Sequence, residues 1–184
     1  MKREVTTYYL EMTDPGELRP KTLAIEGLDI RQAETPSPEL NRFLYTAVGG
    51  DWFWTDRLGW NFRQWQEWVN RPGLRTWVAY VSGTPAGYFE LHAQPDDDVE
   101  IPSFGLLPQF TGQGIGGHFL TIAVEKAWQM GAKRVWLHTC DFDHPHALSN
   151  YKARGFRVVR EKRGIEDLPE RPIGPWPGSN KHLA

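Results

Sequence analysis

The clearest hydrophobic pattern in the chain follows a cluster of glycines, where apolar residues recur every three or four positions. This spacing places side chains on one face of a helix, so the segment is predicted to be an amphipathic helix that begins near Ile115. Gly131 stands where a left-handed C-terminal cap would lie and marks the end of this helix. The apolar positions of the face are Ile115, Phe119, Ile122, Ala123, Ala127 and Met130.

Three further helices are predicted from apolar faces and from residues that start or stop helices. Ser37 is a good N-cap and Pro38 suits the first helical position, so one helix begins there and ends at the pair Gly49-Gly50. Another helix stops before Pro72, because the residue before a proline is disfavoured in a helix. The predicted spans, in chain order, are 37–50, 61–71 and 145–154.

Apolar runs between these helices predict strands. Three of the runs are separated by turns of a few residues, which favours an antiparallel meander, because a parallel pair needs a long crossover. Residues 1–22 are mixed in character and are expected to be peripheral. Residues 164–184 contain four prolines and are expected to form an extended tail. The predicted strands are 23–33 (as one strand or two), 76–81, 86–93, 99–107, 134–139 and 156–162.

Composition narrows the class of protein. A length of 184 residues favours a single domain over residues 1–184. The formal net charge is −2 and there is no basic run, which argues against a nucleic-acid partner. No apolar run is long enough to span a membrane, so no membrane partner is expected. Cys140 is the one cysteine, which excludes an intrachain disulfide; with no apolar signal core at the start, this predicts a cytoplasmic protein.

The glycine cluster is the strongest functional signal. Its four glycines lie within six residues, between a predicted strand and the long predicted helix. Glycines let a backbone approach a ligand closely, and the first free N–H groups of a helix carry a partial positive charge. The pattern therefore predicts an anion site, for phosphate or pyrophosphate, and a mobile loop without a ligand is the alternative. The glycines are Gly112, Gly114, Gly116 and Gly117.

A dinucleotide site is a second interpretation of the same segment. Gly112, Gly114 and Gly117 satisfy the fingerprint G-x-G-x-x-G, and Asp141 ends the following strand, where an acid could meet a ribose. The order of the surrounding helices and strands argues against a dinucleotide site. A doubly wound fold needs several more strand–helix units, whereas one helix and one strand follow Asp141. We therefore favour a phosphate site on a different fold.

Two local motifs and the order of elements resemble the GNAT (N-acetyltransferase) superfamily. The family loop Gln/Arg-x-x-Gly-x-Gly/Ala corresponds to the glycine cluster, with Thr111 at the Gln/Arg position. The family motif Tyr-x-x-x-Gly-Phe stands here as Tyr151 to Phe156. The resemblance covers residues 23–162. It implies an α/β (α+β) fold whose mixed, mostly antiparallel sheet is flanked by helices and split near Leu106 at an acyl-CoA cleft. It also implies direct transfer of an acetyl group from acetyl-CoA to a small-molecule or peptide amine, in a ternary complex.

The resemblance also suggests the catalytic residues. A glutamate at the strand position of Glu100 can act as the general base in the family, often through water. The tyrosine at the position of Tyr151 lies near the CoA sulfur and can protonate the departing thiolate. The alternatives are a solvent-facing strand carboxylate for Glu100 and a packing residue for Tyr151.

The predicted acetyl-CoA site combines the splayed strand with the glycine loop. By resemblance, the backbone of Leu106 and Leu107 pairs with pantetheine, and Pro102, which lacks an N–H, suggests that the strand becomes irregular before that point. His144 stands where the family often has asparagine, and it either bonds to pantetheine or caps a helix. The predicted cofactor-binding residues are Leu106, Leu107, Thr111, Gly112, Gln113, Gly114, Ile115, Gly116, Gly117 and His144.

Other candidate chemistry is weaker. No metal site is expected, because His144 and His146 lack a third ligand, and Cys140 is interpreted as a buried strand residue rather than an acyl-carrying nucleophile. The Trp-rich segment 52–68, with Asp51 or Asp56, could border the acceptor cleft and suit a cationic amine. Thr111 and His144 differ from the residues that the family usually has at these positions. A second function therefore stays open, that of a non-catalytic acyl-CoA-binding regulatory module. A homodimer also stays open as the assembly.

Overall fold

Seven strands and four helices are formed by residues 1–179, which are the residues that the computed structural model describes. The long helix begins at Ile115, as its apolar period predicts. The elements are β1 (Lys2–Met12), β2 (Leu28–Ala33), α1 (Pro38–Gly49), α2 (Phe62–Val69), β3 (Leu74–Val81), β4 (Thr84–Ala93), β5 (Asp98–Leu106), α3 (Ile115–Gln129), β6 (Arg134–Cys140), α4 (Ala147–Ala153) and β7 (Arg157–Asp167).

All seven strands join one sheet in the order β2-β3-β4-β5-β6-β1-β7, and every neighbouring pair is antiparallel except β5 and β6. The predicted mixed, mostly antiparallel sheet flanked by helices is therefore confirmed. The parallel pair is short, since only Asp98–Glu100 of β5 pairs with Arg134–Trp136 of β6. The sheet thus splits directly after Glu100, earlier along β5 than the predicted position at Leu106.

An irregularity in β5 accounts for the early split. Glu90 of β4 faces Ser103, but His92 faces Glu100, so β5 carries one more residue than β4 between these pairs. Pro102 lies in this bulge, where its missing N–H removes no ladder bond to β6 because β6 has already diverged. The irregularity that Pro102 predicted is confirmed.

The N-terminal strand corrects a prediction. Residues 1–22 were expected to be peripheral, yet β1 lies inside the sheet, between β6 and β7, and Leu10 and Met12 are fully buried. Both neighbours of β1 lie more than a hundred residues away in sequence. Local pattern carries no information on such distant pairing, so a strand of mixed character was mistaken for a surface segment.

The two faces of the sheet bury two different sets of side chains. Ala79 and Phe89 pack in the main core with Phe119 and Val124 of α3. The adjacent residues Val78 and Tyr88 point to the opposite face and pack against Leu44 and Val48 of α1. This alternation follows the two-residue period of a strand. The sheet is therefore covered by α3 on one face and by α1 on the other.

The C-terminal part also differs from its prediction. Strand β7 continues to Asp167, so the extended segment begins at residue 168 and not at 164. It then crosses to the end of α1, where the N–H of Gly174 donates to the carbonyl of Gly50 at 2.9 Å. Residues 180–184 of the predicted tail lie outside the described residues. No helix within residues 1–179 is long and apolar enough to cross a membrane.

If β1 is a structural strand, shortening one of its buried side chains should destabilise the fold. We expect Leu10→Ala to lower the free energy of unfolding by about 2–5 kcal/mol, because it removes a fully buried side chain. Val159→Ala on β7 is the control, since that side chain is 49% exposed and should change stability little. Chemical denaturation measures both, and equal small effects would contradict the position of β1.

Candidate functional site

A cleft of about 1000 Å³ opens where β5 and β6 diverge. Its walls come from β1, β5, β6 and β7, from α1 and the connection between α1 and α2, from the start of α3 and from α4. The volume suits a coenzyme or another extended ligand. The cleft therefore unites the glycine cluster, the tyrosine motif and the aromatic segment that the sequence singled out separately.

The glycine cluster forms one end of the cleft. Gly112 and Gly114 have φ values of 76° and 79°, in the left-handed region that favours glycine, and Gly114 is the N-cap of α3. Gly116 and Gly117 follow in the first turn and also line the cleft. A side chain at Gly117 would meet the Arg154 Nη1 and Lys21 Cδ atoms, each at 2.7 Å. The N-terminus of α3 and two cationic side chains thus surround one space, and a side chain at Gly117 would fill part of it.

Lys21 reaches this site from the linker between β1 and β2. The backbone N–H of Lys21 donates to the Thr121 hydroxyl at 2.9 Å, and its carbonyl lies 3.2 Å from His118 Nδ1. The N–H of Arg19 donates to the Arg154 carbonyl at 2.9 Å. Sequence reasoning missed Lys21 and Arg154, because neither belongs to the glycine motif and no local pattern brings them to it.

The predicted cofactor residues divide into two groups. Leu107, Gln113 and Ile115 lie outside the cleft lining. The Leu107 N–H donates to the Ala86 carbonyl, the Gln113 amide turns back to the Gln109 carbonyl, and Ile115 is in the core. The lining includes the other seven predicted residues, which are Leu106, Thr111, Gly112, Gly114, Gly116, Gly117 and His144.

Tyr151 lies in α4 and borders the cleft while remaining 7% exposed. Its ring is in edge contact with Phe104 and Phe156, at centroid distances of 6.1 and 6.2 Å. Burial, together with the charge of Asp143, raises the pKa of the phenol well above its usual range. The hydroxyl therefore keeps its proton and can act as a hydrogen-bond donor in the cleft.

Asp143 fixes the aromatic segment to the end of β6. Its carboxylate accepts hydrogen bonds from Trp54 Nε1 at 3.0 Å, from the Thr139 hydroxyl at 2.6 Å and from the Cys140 N–H at 3.1 Å. Three donors on one carboxylate hold the Trp54 indole as a wall of the cleft. Sequence reasoning did not identify Asp143. The one feature of the sequence that could have indicated it is the position of an acidic residue shortly after a buried strand.

Glu100 lies at the point where the cleft begins. It is the last residue of β5 that pairs with β6, and the lining starts at the next residue, Ile101. Its carboxylate accepts from Gln94 Nε2 at 2.6 Å, and Gln94 in turn accepts from Trp136 Nε1 at 3.1 Å. Burial raises the pKa of Glu100, against the opposing charges of His138 and Arg57. A half-buried carboxyl with a raised pKa is suited to accept a proton near neutral pH.

Cys140 lines the cleft without the properties of a nucleophile. Burial, with the charge of Asp143, raises the pKa of its thiol to about 12. The thiol is therefore protonated at neutral pH, whereas the thiolate is the form that reacts. This supports the interpretation of Cys140 as a strand residue and not a nucleophile, although its side chain is partly exposed at the cleft and not buried as predicted.

His144 and the aromatic segment form the wall beside α4. His144 Nδ1 accepts the N–H of His146 at 3.1 Å, so it organises the turn before α4, and burial lowers its pKa. The centroid of its ring lies 4.8 Å from that of the Trp52 ring, in an edge-to-face arrangement. Asp56 lines the cleft, whereas Asp51 is buried and outside the lining. Residues 1–179 contain no group of three side chains that could hold a metal ion.

Comparison with known proteins relates this chain to acetyltransferases. A model of the acetyltransferase (GNAT) family matches residues 29–156. A mycothiol acetyltransferase of Corynebacterium aurimucosum is 26% identical over 173 residues, which cover 76% of this chain and 57% of the relative.

Solved structures share the fold at low sequence identity. A GCN5-related N-acetyltransferase from Kribbella flavida has a TM-score of 0.64 at 19% identity, over 90% of this chain and 60% of that one. A Bacillus subtilis acetyltransferase in complex with CoA has a TM-score of 0.56 at 23% identity, over 72% and 78% of the two chains. This chain thus spans less than two thirds of the Corynebacterium and Kribbella proteins.

Proposed function

Since the chain belongs to the acetyltransferase (GNAT) family, we propose that it transfers an acetyl group from acetyl-CoA to an amine. The observation that carries this proposal is the cleft between β5 and β6, which has the glycine-bounded N-terminus of α3 at one end and Glu100 where it begins. The acceptor is a small-molecule or peptide amine. We retain the prediction of a cytoplasmic enzyme.

The glycine end of the cleft fits the phosphates of acetyl-CoA. The first N–H groups of α3 can donate to a pyrophosphate, and the helix dipole favours its charge. Lys21 and Arg154 add two positive charges at the same place. The Thr111 hydroxyl donates to the Pro108 carbonyl at 2.7 Å and leaves phosphate binding to these groups.

The chemistry requires a neutral amine, a polarised thioester and a stabilised thiolate. In our proposal Glu100 accepts a proton from the acceptor ammonium through water, and the free amine then attacks the thioester carbon. A C–N bond forms and the C–S bond breaks, while the second amine proton passes to solvent. Tyr151 donates its phenolic proton to the departing sulfur, which leaves as the CoA thiol, and solvent returns a proton to Tyr151.

The regulatory alternative is less well supported. A module that only binds acyl-CoA needs the glycine end of the cleft, but it needs neither a carboxyl with a raised pKa nor a protonated phenol. Tyr151 lines the cleft and Glu100 lies directly before its first lining residue on β5, so both groups are present at the site. Their combination favours transfer over binding alone.

Acetyl-CoA binding can be tested at Lys21. We expect Lys21→Glu to weaken binding by about tenfold or more, because it replaces an attractive charge beside the phosphates with a repulsive one. Lys152→Glu makes the same charge change on an exposed position of α4 outside the lining, and it should leave the affinity unchanged. Isothermal calorimetry distinguishes the two, and equal affinities would show that the phosphates bind elsewhere.

The role of Glu100 has a pH signature. We expect Glu100→Gln to lower turnover by about a hundredfold at neutral pH with little change in acetyl-CoA affinity. The wild-type rate should fall as pH decreases through the raised pKa of Glu100, because only the carboxylate accepts a proton. The variant should lose this dependence and recover as alkaline pH deprotonates the amine. Glu125→Gln, on an exposed position of α3, is the matched control. A variant with wild-type turnover at every pH would remove Glu100 from the mechanism.

Tyr151 is tested by deleting its hydroxyl alone. We expect Tyr151→Phe to reduce turnover by about tenfold, at the low end of acid–base effects, because a thiolate is already a fair leaving group. The loss should be larger with an acyl donor whose thiol is less acidic. Turnover with two such donors measures this difference, and thermal melts check the fold. Equal losses with both donors would mean that the hydroxyl positions the donor instead.

A further inference from the structure

Arg57 is a cation of the cleft that the proposed chemistry leaves unused. It lies in the connection between α1 and α2 and borders the cleft. Its Nη1 group donates to Glu90 at 3.0 Å, and Glu90 lies on β4 with no exposed surface. Glu90 also accepts hydrogen bonds from Asn41 and from Trp68 Nε1, at 2.8 and 3.0 Å. The Arg57 guanidinium is therefore paired with a buried carboxylate whose own position is fixed by two further hydrogen bonds.

Aromatic rings fix the guanidinium further. Its central carbon lies 3.8 Å from the centre of a Trp68 ring, 5.3 Å from Trp60 and 5.5 Å from Tyr45. The Arg57 side chain is 12% exposed. A guanidinium has five N–H donors in a planar fork, and the hydrogen bond to Glu90 occupies one. Arg57 thus offers donors at the cleft with little side-chain freedom left to lose.

Arg57 also lies close to the proposed base. Its partner Glu90 faces Ser103, which lines the cleft, and Glu100 lies on the other side of the β5 bulge from Ser103. The positive charge of Arg57 lowers the pKa of Glu100, whereas burial has the larger effect and raises it. A molecule that brings an amine towards Glu100 therefore meets the guanidinium as well.

We propose that Arg57 binds a carboxylate of the acceptor, so that the acceptor class is an amino acid or an amine with a carboxylate a few bonds away. This inference rests on the proposed acetyl transfer. A guanidinium pairs with a carboxylate through charge-assisted and often bidentate hydrogen bonds, which orient the ligand as well as hold it. With the carboxylate on Arg57, the amine is directed towards Glu100 and the thioester. A simple cationic amine has no carboxylate to pair with Arg57 and gains nothing from it.

The test compares acceptors that differ only in the carboxylate. Each of the twenty amino acids is assayed beside its decarboxylated amine, with acetyl-CoA as donor and free thiol release as the readout. We expect the preferred acceptor to be an amino acid, with kcat/KM about tenfold to a hundredfold above that of its decarboxylated partner. Preference for the decarboxylated amines would overturn the inference and leave the proposed acetyl transfer intact. Absence of transfer to every amine of this panel would overturn the inference, whereas the proposed acetyl transfer is tested separately by acetyl-CoA binding at Lys21.

Variants then assign the preference to Arg57. Arg57→Gln leaves Glu90 as a buried charge without its partner, so the double variant Arg57→Gln/Glu90→Gln is made beside it to keep the fold. In a folded variant we expect KM for the amino acid to rise by about tenfold or more, while KM for the decarboxylated amine does not rise. Arg63→Gln, on an exposed residue of α2, is the control. Calorimetry of the CoA-saturated proteins with the amino acid supplies a readout independent of turnover. An unchanged preference in the folded double variant would show that Arg57 has a structural role only.

Discussion

The divergence of two parallel strands after three residue pairs is the constraint on which the site depends. Backbone N–H and C=O groups that leave a sheet need other partners, and a ligand that enters the gap can supply them. Strand β5 separates from β6 directly after Glu100, at a bulge that contains Pro102. The same separation therefore creates the cleft and places a half-buried carboxyl at its beginning.

The N-terminal segment contributes to both the sheet and the cleft. Its strand β1 fills the position between β6 and β7, so the second half of the sheet is continuous only through it. The linker that follows then passes the start of α3, where Thr121 holds the backbone of Lys21 beside the glycines. A single segment thus completes the sheet and brings a positive charge to the glycine end of the cleft.

Charged groups in the rest of the cleft are held in place by aromatic residues. Asp143 receives the Trp54 indole, and Arg57 lies against Trp68 above the buried Glu90. Rings of this size limit the exposure of these charged groups to water, and electrostatic interactions are stronger where water is excluded. The unusual number of tryptophans in the segment 52–68 is explained by this combination of core packing and fixed charge.

The sequence by itself determined the helices, the meander and the family. Ser37 and Gly131 mark helix ends through backbone chemistry that acts within a few residues, and the glycine cluster and Tyr151 motif are equally local. Tertiary structure alone decided the position of β1 and the convergence of Lys21, Arg154, Asp143 and Arg57 on the cleft. These positions depend on strand pairing and side-chain contacts between residues far apart in the chain. Hydrophobic periodicity and short motifs do not predict such contacts, because the contacts stabilise the protein only once the sheet has formed.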